Sequence, residues 1–255
     1  MSRGALVTGD GAGAGAHVES AARGRGRPRG ETAQGAETRQ RLYETAIRLI
    51  AARGWQGTTL REVAQEAGVS VGLLYRYFPS KQAVVLALYD ELSAAYAARA
   101  AQMGPGRWRD RFLFALRTSL GVLGPHRGTL ASLVGVLVGD AEDGVFAPGK
   151  AFSRLRVQGV FVQSVVGASD APRGETAPAL GRLLYLVHLA VLLWWLLDRS
   201  PEQRATAGLV ALLERAAPLI AVALRAPTVP GLVRAADALV RDALLPDDAG
   251  AGRGG

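Results

Sequence analysis

Residues 58 to 81 read TTLREVAQEAGVSVGLLYRYFPSK, and this stretch decides the fold. It divides into two short apolar-periodic runs on either side of Ala67-Gly68-Val69-Ser70. Thr59-Leu60-Arg61-Glu62 has the form of a capping box, in which the Thr59 hydroxyl accepts from the Glu62 amide and the Glu62 carboxylate reaches back to the Thr59 amide. Gly68 suits a positive φ in the turn, and Ser70 suits the N-cap of the second run. Leu74 and Phe78, four residues apart, face inward together with Val69, and Pro79 ends the helix. The pattern predicts a helix-turn-helix whose second helix covers residues 71–78.

In such a motif the second helix enters the major groove of DNA with its N-terminal residues at the base edges, while the first crosses the backbone. With Leu74 and Phe78 turned inward, Val71, Gly72, Leu73, Tyr75, Arg76 and Tyr77 remain for the groove and the phosphates. Gly72 permits close backbone approach, Leu73 offers contact to a thymine methyl, and tyrosine hydroxyls bond phosphate oxygens. Lys81 stands at the start of the next helix, where a phosphate meets both its ammonium and the positive end of the helix dipole.

The helical periodicity extends outward in both directions, and no alternating strand pattern interrupts it, so the chain reads as all-α. Upstream, a helix is expected from Glu37 to Arg53, with Leu42, Ala46, Leu49, Ile50 and Arg53 on one side, Ile47 widening the apolar stripe, and Gly54 as its C-terminal cap. Downstream, Ser80 caps a long helix from Lys81 to about Met103, which Gly104-Pro105-Gly106 breaks. Further helices are expected near 107–123, 126–139, 148–168, 176–199, 201–225 and 230–245. Residues 1–35 hold nine glycines and five arginines with little that packs, so a disordered arm is expected there and a disordered tail over 246–255.

The 255 residues carry a formal charge of +8, which favours polyanionic partners, although arginine supplies nearly all of it: Lys81 and Lys150 are the only lysines. With no cysteine, the chain has no disulfide, thiol nucleophile or thiolate metal site, and a reducing cytosol suits it. The first 35 residues lack the apolar run of a secretory signal. The most apolar stretch, 183–197, is shorter than the roughly 20 residues a membrane-spanning helix needs and contains His188, so it reads as a helix buried on every side. His17, His126 and His188 lie in separate segments without metal-ligand spacing. There is no nucleophile elbow, P-loop or dinucleotide glycine pattern, and the Asp140, Glu142, Asp143 cluster reads as a solvated loop. Neither enzyme, cofactor nor metal is expected.

From Thr38 to about Leu92 the sequence resembles the DNA-binding domain of the TetR family of transcriptional regulators. Ala51-Ala52-Arg53-Gly54-Trp55, Thr58 to Ala64, Ala67-Gly68-Val69-Ser70, Gly72, Leu74-Tyr75, Tyr77-Phe78 and Lys81 carry the resemblance. It implies a DNA-binding domain over 36–96, with its helix-turn-helix at 59–78, and a larger helical domain over 97–245 that dimerises and encloses a small-molecule effector. It also implies a cytoplasmic, nucleoid-associated homodimer on palindromic double-stranded DNA, usually repressing until the effector shifts the long helix, although some members activate. By family position Thr59, Tyr75, Tyr77 and Lys81 go to phosphates, Val71, Gly72 and Leu73 to the base edges, and Ser70 and Arg76 lie beside them.

That edge has no Asn or Gln, and Arg76 is its one side chain for bidentate guanine contact, so base specificity must come partly from DNA shape or another segment. Residues 23–29, RGRGRPR, resemble the Arg-Gly-Arg-Pro core of an AT-hook, which would place Arg25 and Arg27 in the minor groove. In the larger domain the apolar 183–197 helix and the stripe Leu209, Leu212, Leu213, Ala216, Leu219, Ile220 and Ala223 fit either a dimer interface or a monomer core. Trp108, Phe112, His126, Phe161, Tyr185, His188 and Trp195, with Phe152 and Gln163, are candidates to line a pocket for an apolar or amphipathic effector. A helical binding or scaffold protein that no longer reads DNA stays open as the alternative.

Overall fold

The computed structural model describes residues 33–135 and 151–244, and every regular element among them is helical. The segments holding Arg25 and Arg27, the 140–143 acidic cluster and the C-terminal tail lie outside the described residues. Four helices open the chain: α1 (Ala33–Arg53), α2 (Leu60–Glu66), α3 (Val71–Tyr77) and α4 (Lys81–Ala100). They are followed by α5 (Trp108–Leu123), a 3-10 turn (Gly124–His126), α6 (Arg127–Ser132), α7 (Ala151–Val166), α8 (Thr176–Leu197), a second 3-10 turn (Pro201–Gln203), α9 (Arg204–Ala223) and α10 (Val229–Leu244).

Local chemistry sets the boundaries. α1 ends where Gly54, at φ +75°, donates its amide to the Ile50 carbonyl at 2.8 Å. α4 stops three residues before Met103, whose amide closes a final turn on the Ala100 carbonyl ahead of Gly104-Pro105. The helix expected at 126–139 is shorter in its described part, because Gly124 and Pro125 open a 3-10 turn and α6 closes at Ser132. α9 starts at Arg204, since Glu202 and Gln203 both sit at φ 53°. The Asp198 carboxylate holds this corner, accepting from the Ser200 and Thr206 amides at 2.8 and 2.9 Å. The bonds from Thr206 and Ser200 keep that carboxyl well below the usual range.

The N-terminal helices enclose Leu42, Ala46, Ile50, Val63, Ala64, Leu74, Phe78, Val84 and Leu88, all almost fully buried. Each large apolar side chain so placed contributes about 1.5–3 kcal/mol. Ile47 is half-buried and Arg53 is exposed, at the edge of the expected α1 stripe. The larger part is a bundle in which α7 packs on α4, α5 and α8. α7 and α8 approach so closely that a Cβ at Gly181 would lie 2.5 Å from the Val162 Cα. Arg111 of α5 seals the other end, donating to the Gly104, Gln163 and Ser164 carbonyls. α10 is held on α8 by the Arg182–Asp237 pair at 2.6 and 2.7 Å.

α8 begins at Thr176 as expected, and its 22 residues, like those of 201–223, are long and apolar enough to cross a membrane, although the apolar stretch 183–197 alone is not. It departs from expectation in not being buried all round. Leu184, Tyr185, His188, Val191 and Trp195 face the core, whereas Leu193, Trp194 and Leu197 are exposed. The buried His188 and the Arg182–Asp237 pair hold α8 within the bundle.

Candidate DNA interface and buried aromatic site

α3 is clamped at both ends. At its entry the Ser70 hydroxyl accepts the Leu73 amide at 3.2 Å. At its exit the Phe78 amide returns to the Leu74 carbonyl at 2.8 Å, with Leu74 and Phe78 buried beneath. Gly68 adopts φ +67° in the turn. The Thr59–Glu62 capping box is complete, with the Thr59 amide donating to Glu62 at 2.8 Å and the Glu62 amide to the Thr59 hydroxyl at 3.3 Å. Bonding to the Thr59 hydroxyl lowers the Glu62 pKa. A rigid scaffold of this kind presents Val71, Gly72, Tyr75 and Arg76 outward. Val71 is 37% and Tyr75 47% exposed, and no atom lies within 4 Å of where a Gly72 Cβ would stand. Leu73 and Tyr77 are half-buried at the margins of this face.

Lys81 has a different setting from the exposed residues. Its ammonium donates to the Trp55 carbonyl at 2.6 Å and the Thr58 carbonyl at 3.0 Å, and lies 4.2 Å from the centre of the Trp55 ring. Burial lowers its pKa. In the free protein two of its three N–H groups are therefore engaged by the loop between α1 and α2. Trp55, which the sequence offered only as part of the family pattern, is the surface against which this lysine packs.

A second link joins α1 to α4, where the Glu91 carboxylate stands beside the Tyr43 hydroxyl. Burial, reinforced by that carboxylate, raises the Tyr43 pKa far beyond the usual phenol range. The helix that leads into the larger part thus holds the N-terminal helices at both of its inner turns.

Four of the predicted pocket residues come together in the bundle. The Phe161 ring centre is 4.6 Å from that of His188, 6.0 Å from Phe112 and 6.3 Å from Tyr185. Trp108 begins α5 one turn ahead of Phe112, its amide donating to Asp170 at 2.7 Å. Trp195 lies apart from this group, under the Arg127 guanidinium at 5.7 Å, and its carbonyl accepts two bonds from Arg127. His126 stands half-buried in the 3-10 turn beside Arg127. Phe152 is exposed beneath Arg156, and Gln163 is exposed.

Polar groups missed in the sequence complete the cluster. His188 Nε2 is 2.8 Å from the Ser119 hydroxyl, and burial pushes the imidazole down to about 3, so it is neutral. Tyr96 stacks 6.3 Å from both His188 and Phe161, and burial raises its hydroxyl strongly. Tyr89 bonds Tyr185, and desolvation pushes its pKa up to about 12. Among the described residues Tyr96 Oη, Gln158 Nε2 and His188 Nδ1 are buried without a hydrogen-bond partner. An unmatched group of this kind costs about 1–3 kcal/mol. No three His, Asp or Glu side chains gather as a metal site among the described residues.

Residues 42–88 match the family model described as bacterial regulatory proteins, tetR family. Over these residues the chain is similar to the DNA-binding domain of TetR-family regulators. The HTH-type transcriptional repressor NemR of Escherichia coli K12 is 34% identical over 103 residues, covering 39% of this chain and 51% of NemR. The repressor KstR of Rhodococcus jostii RHA1 is 44% identical over 45 residues, 18% of this chain and 21% of KstR. The matches therefore span about half or less of those relatives' own lengths. A TetR-family regulator of Streptomyces coelicolor shares the fold, with a TM-score of 0.54 at 21% identity, covering 80% of this chain and 89% of that one.

Proposed function

We propose that this chain is a TetR-family, DNA-binding transcriptional repressor that sits as a homodimer on a palindromic operator and is released by a small molecule. One observation carries the reading: α3 holds Val71, Gly72, Tyr75 and Arg76 on an exposed edge while caps, turn and core fix its position. We assign Thr59, Tyr75 and Tyr77 to phosphates, Val71, Gly72 and Leu73 to base edges, and Ser70 to orienting the helix. Arg76 is the side chain suited to guanine. Lys81 reaches phosphate only through its remaining N–H, and its main part is to hold the 55–58 loop under α4. From their sequence, Arg25 and Arg27 are assigned to the minor groove.

The second copy is assigned to the outer faces of α8 and α9. Trp194, Leu197, Leu212, Leu219 and Val222 are 50–72% exposed and lie on two consecutive helices. Burying these faces against their own symmetry mates forms an isologous interface, and two recognition helices then meet half-sites about 34–36 Å apart. Repression rather than activation is supported by the names of NemR and KstR, both transcriptional repressors. A protein acting on DNA is assigned to the cytoplasm at the nucleoid, and no membrane role is proposed. The effector is assigned to the cluster of α4, α5, α7 and α8, since a shift of α4 there is transmitted through Glu91–Tyr43 and Lys81 to α1 and the turn.

Gel shift on the DNA flanking the protein's own gene, at low and high salt, tests this. A shifted complex that weakens steeply with salt and is lost on Tyr75→Ala or Arg76→Ala is expected. An absence of any specific shift at low salt would refute it.

A further inference from the structure

The aromatic cluster holds more hydrogen-bonding capacity than the protein itself uses. Tyr96 of α4, Phe161 of α7, and Tyr185 and His188 of α8 meet in one layer, with Ser119 of α5 closing it. Gln158 lies three residues before Phe161, so both project from one face of α7, and Gln158 is 5% exposed. Tyr96 and His188 are each 2% exposed.

The unmatched atoms have a definite chemistry. Gln158 Nε2 is a donor only, and Tyr96 Oη donates one hydrogen bond. His188 Nδ1 donates when the Ser119 hydroxyl donates to Nε2 and accepts in the other tautomer. Around them stand ring faces, and none of the residues in this layer is a carboxylate. A cation would find no counter-charge from these side chains, and a purely apolar molecule would leave all three atoms as they are.

We propose that this layer is the effector site and that it takes a neutral, flat, aromatic molecule bearing carbonyl oxygens, which accept from Tyr96 Oη and Gln158 Nε2 while its ring lies among Phe161, Tyr185 and His188. The inference rests on the reading of the chain as a ligand-released regulator and names the class of ligand.

The test joins two readouts on the full chain. Calorimetric titration compares naphthoquinone, naphthalene and naphthylmethylammonium; with no cysteine present, naphthoquinone has no thiol to alkylate. Naphthoquinone is expected to bind about tenfold or more tighter than the other two, and Tyr96→Phe and Gln158→Met each to weaken it by about tenfold, the loss of one hydrogen bond. Without any compound, each substitution removes an unmatched buried group, so melting is expected about 2–4 °C higher than in the parent chain. Equal or absent binding of naphthoquinone and naphthalene, or a lower Tm in both variants, would overturn the proposal. Operator binding is measured separately: naphthoquinone that binds yet leaves the DNA complex intact upholds the site and counts against ligand-induced release.

Discussion

Lys81 donates to the backbone carbonyl of Trp55 at 2.6 Å while its ammonium lies 4.2 Å from the centre of the same residue's indole ring. One lysine thereby fixes the α1–α2 loop against the first turn of α4, and a change in α4 reaches the helix-turn-helix through it. Lys81→Ala is expected to lower Tm by about 2–4 °C. It should also weaken operator binding while lowering the slope of affinity against salt by much less than one full phosphate contact. Were the lysine chiefly a phosphate contact, that slope would fall by about 0.9 for each phosphate released, and anisotropy titrations across a salt series separate the two.

The turn itself offers a cleaner structural test. Gly68 at φ +67° has no atom within 4 Å of where a Cβ would lie, so Gly68→Ala is opposed by backbone strain rather than by crowding. A cost of about 1–2 kcal/mol is expected in urea unfolding. Thr59→Ala, which removes the capping box, should cost about 1 kcal/mol.

The outward side chain of Leu219 is 72% exposed. Leu219→Glu should therefore leave the monomer folded but convert a dimer to monomers in sedimentation, with operator affinity falling at least about a hundredfold as the second half-site is lost. An unchanged dimer in that variant would place the interface elsewhere.

His188 makes stability depend on pH. Its folded pKa, about 3, lies below that of an unfolded histidine, so between the two values the unfolded state binds the extra proton. Stability is then full above about pH 6.5 and falls as pH drops toward 3, by about 2 kcal/mol between pH 7 and 5. His188→Gln should flatten that part of the curve, which urea titrations at several pH values would reveal.

The sequence made the helix-turn-helix legible because its determinants are local. Thr59 and Glu62 sit three apart, Gly68 needs no neighbour to explain it, and Leu74 with Phe78 marks one face. Phe112, Phe161, Tyr185 and His188 were recognisable by size and character, and the bundle brings them together. Tyr96 and Gln158 were not, since a polar side chain on a helix has no local sign of being buried. Only the packing of α7 on α4 and α8 leaves them without water. The setting of Lys81 was hidden for the same reason: its charge is visible in the sequence, but the carbonyls of Trp55 and Thr58 that engage it are set by the fold.

In the proposed complex two copies of α3 grip one face of a palindromic duplex. Hydroxyl-radical footprinting of the DNA flanking the protein's own gene tests this. Two protected patches are expected, related by a dyad and centred one helical turn, about 34–36 Å, apart, both lost with Arg76→Ala. Uniform, sequence-independent protection, or none at low salt, would contradict it.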